Sequence, residues 1–336
     1  MSRHQFQTNL RYTLNLLGWV YISLIISWFC LRLVFFDRFW WLALLNTLAF
    51  YLFLPLALFI PLSVWLRQRH LVIGLAIPIA LFVGLFGNLL LPSFFSPTLT
   101  PQQAFKVMSF NILWSNQNYA QIAQAVQTAN PDIIGLQEVR PPNIAALTTA
   151  LSNYPYSSFH PPDTYHTVGI FSRFPIISAV PLTNPPMERG LRVVIDVNGK
   201  YLAVIVAHLA PNNMPLFPLN EFVSQTKERY ARRAMEVEHL KQEIQKRNHP
   251  TLVVCDCNMT DTSQTYAQLQ TVLADSFSEV GWGLGHTLRV EAFPLPVQRI
   301  DYVWHTTDLQ AVNVHVGDSG GSDHQPVVAT MQFVPR

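Results

Sequence analysis

Three apolar runs, residues 12–36, 42–66 and 71–91, constrain this chain more than any other feature. At about 1.5 Å per helical residue, each can reach across the roughly 30 Å hydrocarbon core of a bilayer. A secretory signal carries only about 7–15 apolar residues, so three runs joined by short charged loops predict a three-helix membrane anchor over residues 1–91. Composition agrees, since half of the 336 residues are apolar and 12% are charged, where about a quarter is usual. The imbalance is local. Residues 1–105 hold six of the 22 Lys and Arg and one of the 20 Asp and Glu, leaving 16 basic and 19 acidic residues beyond, so the two parts carry +5 and −3.

Charge also orients the anchor. Arg3 and Arg11 precede the first run and Arg67 and Arg69 lie in the second loop, whereas Asp37 and Arg38 occupy the first. The positive-inside rule then places the N-terminus in the cytoplasm, and three crossings place everything after the anchor on the extracytoplasmic side. Arg32 is expected to snorkel to the nearby interface. Trp40, Trp41 and Trp65 fall at span ends, and Pro55, Pro61 and Pro78 are positioned to kink their spans. Residues 92–104, with three prolines and no periodicity, form a linker.

From residue 105 onward the pattern becomes short β-type runs: FKVMSFNIL, PDIIGLQEV, VGIFSRFPI, LRVVIDV, YLAVIVAHL, TLVVCDCN, RIDYVWH and QPVVATMQF. Helical spacing appears at 117–129, 142–151 and 220–247. The expected fold class is α/β, a four-layer α-β-β-α sandwich of two mixed sheets over 105–336. In the 220–247 helix, Arg232 and Arg233 interleave with Glu228 and Glu236, which predicts a solvated face. The stretch before it, with Met214, Leu216, Phe217 and Phe222, suits either core packing or a membrane-dipping loop. Cys255 and Cys257 alternate on a predicted strand, too far apart to bridge comfortably, and no disulfide framework is expected.

Polar residues recur where the apolar runs end: Asn111, Glu138, His208, Asp256, Asn258, Asp301, Asp323 and His324. Any one of them has an ordinary structural explanation as a cap, a turn or a satisfied core group. Strand ends are also where a rigid scaffold can aim side chains at one site. In the motifs SFN (109–111), PDIIGLQE (131–138), GIFSRFPI (169–176), AHLAP (207–211), CDCN (255–258), RIDYVW (299–304) and SDHQP (322–326), this half resembles the endonuclease/exonuclease/phosphatase superfamily over about 230 residues. The chain departs from that pattern at Cys255 and Cys257, where the family usually has glycine and a bulky apolar residue.

The resemblance implies hydrolysis of phosphate esters with Mg²⁺, or Mn²⁺, as cofactor. It implies Glu138 as metal ligand with Asn111 beside it and Asp323 contributing. It implies Asp256 on the attacking water, Asn258 on a phosphoryl oxygen, and His208 on the same oxygens or on the leaving group. His324 would pair with Asp301, and either histidine suits the role of base. Arg173 is expected to be structural, and His160 and His166 to be solvated loop residues.

The catalytic half is slightly acidic, which argues against a stable nucleic-acid complex. With three spans holding the site near a bilayer, the favoured substrate is a lipid phosphate or pyrophosphate. In layout the chain resembles the bacterial glycopeptide-resistance membrane phosphatases, which the resemblance links to polyprenyl pyrophosphate. The alternative is a membrane-tethered nuclease or nucleotide phosphodiesterase. A pseudoenzyme is disfavoured because no expected carboxylate or histidine is missing.

Overall fold

The computed structural model describes residues 3–90, 104–161, 167–182, 187, 189–212, 218–290 and 293–334. Residues 92–103, His166 and the 213–217 stretch with Met214, Leu216 and Phe217 lie outside the described residues. The chain divides into two compact units, Met1–Asn88 with Thr262–Gln264, and Leu89–Asp261 with Thr265–Arg336.

In the first unit, helices Arg3–Phe35 and Arg69–Leu90 are long and apolar enough to cross a membrane. The middle run departs from the continuous span expected over 42–66. It breaks into Trp40–Thr47, Ala49–Leu52 and Leu56–Trp65, with a bend of 78°, so the candidate spans number two, or three if the bent pair is one span. The break has local causes. Asn46 turns its side chain away to donate to Phe36 O and Asp37 Oδ1 and to accept from Trp28 Nε1. Thr47 Oγ1 bonds back to Ala43 O. Pro55 has no N–H to continue a helix and stands just before the Leu56–Trp65 segment.

Contacts within this unit fix the course of the chain. Tyr21 of the first helix stacks on Phe59 at 5.2 Å and donates to Leu52 O, while Gln68 Nε2 reaches Arg11 O at 2.7 Å. The broken segment and the turn after it therefore return along the first helix as far as Arg11. At Gly18 an added Cβ would lie 2.5 Å from Leu71, and at Gly74 it would lie 2.9 Å from Trp19. The Arg69–Leu90 helix thus runs parallel to the first, and the course of the three runs within this unit is up, down and up.

The second unit holds two six-stranded mixed sheets. One runs in the order Leu309–Val316, Val327–Phe333, Ala104–Asn111, Ile133–Val139, Thr167–Ser172, Tyr156–His160. The other runs Ile176–Pro181, Gly190–Val197, Lys200–His208, Thr251–Asp256, Asp301–His305, Ala274–Asp275. Each contains one parallel pair, Ala104–Asn111 with Ile133–Val139 and Lys200–His208 with Thr251–Asp256. Parallel neighbours need a crossover, and helices Tyr119–Ala129 and Leu219–Gln245 supply the two.

Those helices cover the outer faces. Val237, Leu240 and Ile244 pack over Ile205, Val253 and Trp304, and Ile122 and Val126 pack over Met108, Phe110 and Ile134. The resulting α-β-β-α layering is the expected fold class.

The 219–245 helix corrects the expectation of a solvated charged face at two positions. Arg233 and Glu236 are buried, donating to Ala210 O and accepting from Ala210 N at 2.7 Å. Their charges compensate the backbone of the loop that follows His208.

Where the sheets face each other, Gly135 admits closest approach. A Cβ there would stand 2.3 Å from Val254 Cγ2 in the opposite sheet. Gly135→Val should therefore destabilise the second unit by roughly 1–3 kcal/mol, seen as a fall in its melting temperature by near-ultraviolet circular dichroism.

Candidate active site

Both parallel pairs end at the same place. Asn111 and Glu138 close the first pair, and His208 and Asp256 close the second. In the second sheet the register aligns three chemical groups in one row, with His208 beside Asp256 and Asp256 beside Asp301. Successive residues on a strand face opposite ways. Asp301 thus turns inward, while Tyr302 joins the outer core with Trp304.

Glu138 is aimed by irregular backbone. The pairing with Thr167–Ser172 shifts register between Leu136 and Val139, and Glu138 sits in this bulge at φ +58°. Asn258 is a second non-glycine residue at positive φ, +51°. Glu138 Oε2 accepts from Trp114 N at 2.9 Å and Oε1 accepts from Asn111 Nδ2 at 3.2 Å. The same Asn111 amide donates to Asp256 Oδ2 at 2.9 Å, so one side chain joins carboxylates from two sheets. Its carbonyl oxygen accepts from Leu113 N.

His208 Nε2 lies 3.5 Å from Asp256 Oδ2 and 3.9 Å from Glu138 Oε1. His324 Nδ1 is 2.8 Å from Asp301 Oδ2, with Nε2 3.9 Å from Asp256 Oδ2. Asn258 donates its backbone N–H to Asp256 Oδ1 and its side-chain amide to Leu209 O.

The structure thus brings together seven of the eight expected residues through direct contacts. Asp323 stands at the margin. Its backbone oxygen accepts from Arg289 N, its side chain meets Ser322 Oγ at 3.4 Å, and burial raises its pKa. Arg173 pairs with Asp132 at 3.2 Å and stacks over Tyr154, in keeping with a structural role, and His160 ends a strand.

Among the described residues two donor groups could hold a metal, Glu138 with His208 and Asp256, and Asp256 with Asp301 and His324, each within 4.8 Å. Carboxylate oxygens dominate, which suits a hard divalent cation. Among the described residues Asp301 Oδ1 is buried with no hydrogen-bond donor, a further sign that the cluster accommodates positive charge. Burial, reinforced by Asp301, raises Asp256 to about 7 against the pull of His324. Burial alone would lower His324, but Asp301 and Asp256 outweigh it and raise its pKa to about 10.

Two features were not anticipated. Arg189 Nη1 stands 3.3 Å from His208 Nδ1, and the His208 N–H donates to Arg189 O. A guanidinium only donates, so Nδ1 accepts and the ring proton lies on Nε2, facing the carboxylates. The signal was present in the Asn198-Gly199 hairpin turn. Pairing Val197 with Lys200 sets Gly190 opposite Ala207 and brings Arg189 to His208. Second, Cys255 and Cys257 form a disulfide, correcting the expectation that they lie too far apart. The strand ends at Asp256, so Cys257 leaves the extended path and the Cα atoms approach to 5.1 Å. Both sulfurs lie in the outer core, with Asp256 between them in sequence.

Residues 108–324 match the Endonuclease/Exonuclease/phosphatase family, nearly two thirds of the chain, and the chain belongs to that family. No curated protein matches it in sequence. Among solved structures it is similar to an endonuclease/exonuclease/phosphatase from Bacteroides vulgatus (TM-score 0.58, 17% identity, 69% of this chain and 100% of that one). It is also similar to D. rerio TDP2 complexed with a single-strand DNA product (0.55, 14%, 68% and 99%), and to a mannosyl-6-phosphatase of Bacteroides thetaiotaomicron (0.51, 20%, 68% and 100%). At these identities the likeness is one of fold.

A hydrogen bond to a charged group contributes about 1.5–3 kcal/mol, so Arg189→Ala should cut turnover roughly 10- to 100-fold, and because the guanidinium also offsets the charge of buried Glu236 the melting temperature should fall with it. Because the Asp256 proton competes with a cation below pH 7, affinity for Mn²⁺ should be flat above that pH and fall up to about tenfold per unit below it. Calorimetric titration from pH 5.5 to 8.5 should show this slope, and Asp256→Asn should remove it.

Proposed function

We propose that this member of the family is a membrane-anchored, metal-dependent phosphohydrolase acting on a lipid phosphate or pyrophosphate. The convergence of Glu138, His208 and Asp256 from two sheets, beside the Asp301–His324 pair, carries this reading. A divalent cation at Glu138, Mg²⁺ or Mn²⁺, would supply charge neutralisation for the phosphoryl oxygens. Asp256 is placed to orient the attacking water and take its proton, held by Asn111 and by the Asn258 N–H. His208 offers its Nε2–H to a phosphoryl oxygen. His324, kept protonated by Asp301 through neutral pH, offers positive charge to the charge that develops there.

Three observations favour a lipid. The chain carries apolar helices able to span a bilayer. Its catalytic part is not basic. Third, the hairpin of Leu288–Val290 and Phe293–Gln298 is bonded to the His324 segment, through the Leu288–His324 bridge and Arg289 N to Asp323 O, and it exposes Val290, Phe293 and Leu295. Apolar surface rooted beside a catalytic histidine suits a substrate with an apolar tail.

Counting the bent pair as one traverse is supported by its return along the first helix, from Trp28 beside Asn46 to Arg11 beside Gln68. With Arg3, Arg11, Arg67 and Arg69 on the cytoplasmic side, the catalytic unit is then extracytoplasmic.

The test is inorganic phosphate release from polyprenyl pyrophosphate by the detergent-purified chain with Mg²⁺, beside Glu138→Ala. Release that falls at least 100-fold in the variant is expected. Plasmid or oligonucleotide cleavage without such release would replace the lipid reading with that of a tethered nuclease.

A further inference from the structure

The first unit contains a cleft of about 460 Å³ between the start of the first helix and the turn joining Leu56–Trp65 to Arg69–Leu90. Arg11 and Arg67 line it together with Asn15, Gln68, Leu16 and Leu66. Gln68 builds the floor. Its Nε2 donates to Arg11 O at 2.7 Å and its Oε1 accepts from Asn15 Nδ2 at 3.2 Å, tying together segments more than fifty residues apart.

The charge in this cleft has no counter-ion of its own. In residues 1–90 the sole acidic residue is Asp37, at the far end of the first helix and bonded to Asn46. Among the described residues no carboxylate pairs with Arg11 or Arg67.

The backbone makes Arg67 more telling. The preceding helix closes with Arg67 N bonded to Val64 O and Gln68 N to Ser63 O, the pattern in which the residue after the cap turns left-handed and is usually glycine. Arg67 holds that position at φ +54°. A residue disfavoured by the backbone thus stands in a cleft that a second arginine also lines.

We infer that this cleft binds the phosphate of an anionic phospholipid headgroup. It rests on the anchor lying in a bilayer, where apolar runs end and the cleft sits at headgroup level. Two guanidiniums take a phosphodiester by charge-assisted hydrogen bonds, the carboxamides offer neutral polar contacts to the glycerol, and Leu16 and Leu66 meet the first methylenes. Every residue lining the cleft belongs to the first unit and none to the catalytic constellation, so this lipid is a second one, distinct from the substrate.

The experiment uses the full chain, stripped of lipid in neutral detergent and offered phosphatidylglycerol or phosphatidylcholine, with bound lipid counted by native mass spectrometry. The wild type should retain phosphatidylglycerol at least tenfold over phosphatidylcholine. Arg67→Gly suits the turn and preserves the fold, and should weaken retention at least threefold. Arg11→Gln with Arg67→Gly should abolish the preference, while catalytic-unit melting and carbonate-resistant membrane association stay unchanged. Equal retention of the two lipids, or full retention by the double variant, would overturn the proposal. So would displacement by millimolar inorganic phosphate, which would make the ligand free phosphate. Carbonate extraction of the wild-type chain tests the anchor separately, since a wild type released into solution would overturn the anchor whatever the lipid counts.

Discussion

One amide holds the catalytic arrangement together. Glu138 and Asp256 come from different sheets, carry like charge, and would separate if nothing lay between them. The Nδ2 group of Asn111 donates to both, so repulsion is offset by two charge-assisted hydrogen bonds from a fully buried donor. That bridge is possible because the sheets approach closely behind it, where Gly135 leaves room for Val254. Packing in the core and geometry in the site are therefore one constraint. The Asp301–His324 pair and the Arg189–His208 contact extend it outward, each fixing a ring nitrogen by what faces the other.

The eight apolar runs visible in the sequence correspond to the eight interior strands, four in each sheet. The four edge strands escaped, three of them because they are exposed or short. Ile176–Pro181 is almost wholly exposed, Tyr156–His160 is half-exposed, and Ala274–Asp275 is two residues long. An edge strand bonds on one side and buries little, so it need not be apolar. The site residues were legible because they stand at the ends of apolar runs, Asn111, Glu138, His208, Asp256 and Asn258 where a run closes and Asp301, Asp323 and His324 where one opens. Arg189 was not, since it gains its place only by pairing across a hairpin, and Arg233 and Glu236 were hidden because a buried ion-backbone clamp has the composition of a solvated helix face.

The anchor shows a different limit. Where nearly every residue is apolar, periodicity fades and a break leaves little trace in composition. The middle run looks continuous, yet Asn46 spends its side chain on Phe36, Asp37 and Trp28 and the helix bends. Polar side chains inside such runs have few partners, so those present decide where the helix stops.

Glu138 and Asn258 both occupy backbone conformations that glycine would adopt without strain. On the roles proposed for the two side chains, selection for stability and selection for turnover pull opposite ways at these two codons. A library screened only for thermal resistance would drift toward glycine at both and enrich well-folded, inert protein. Persistence of the larger residues in a lineage is thus a record of selection on chemistry, readable without any assay of substrate.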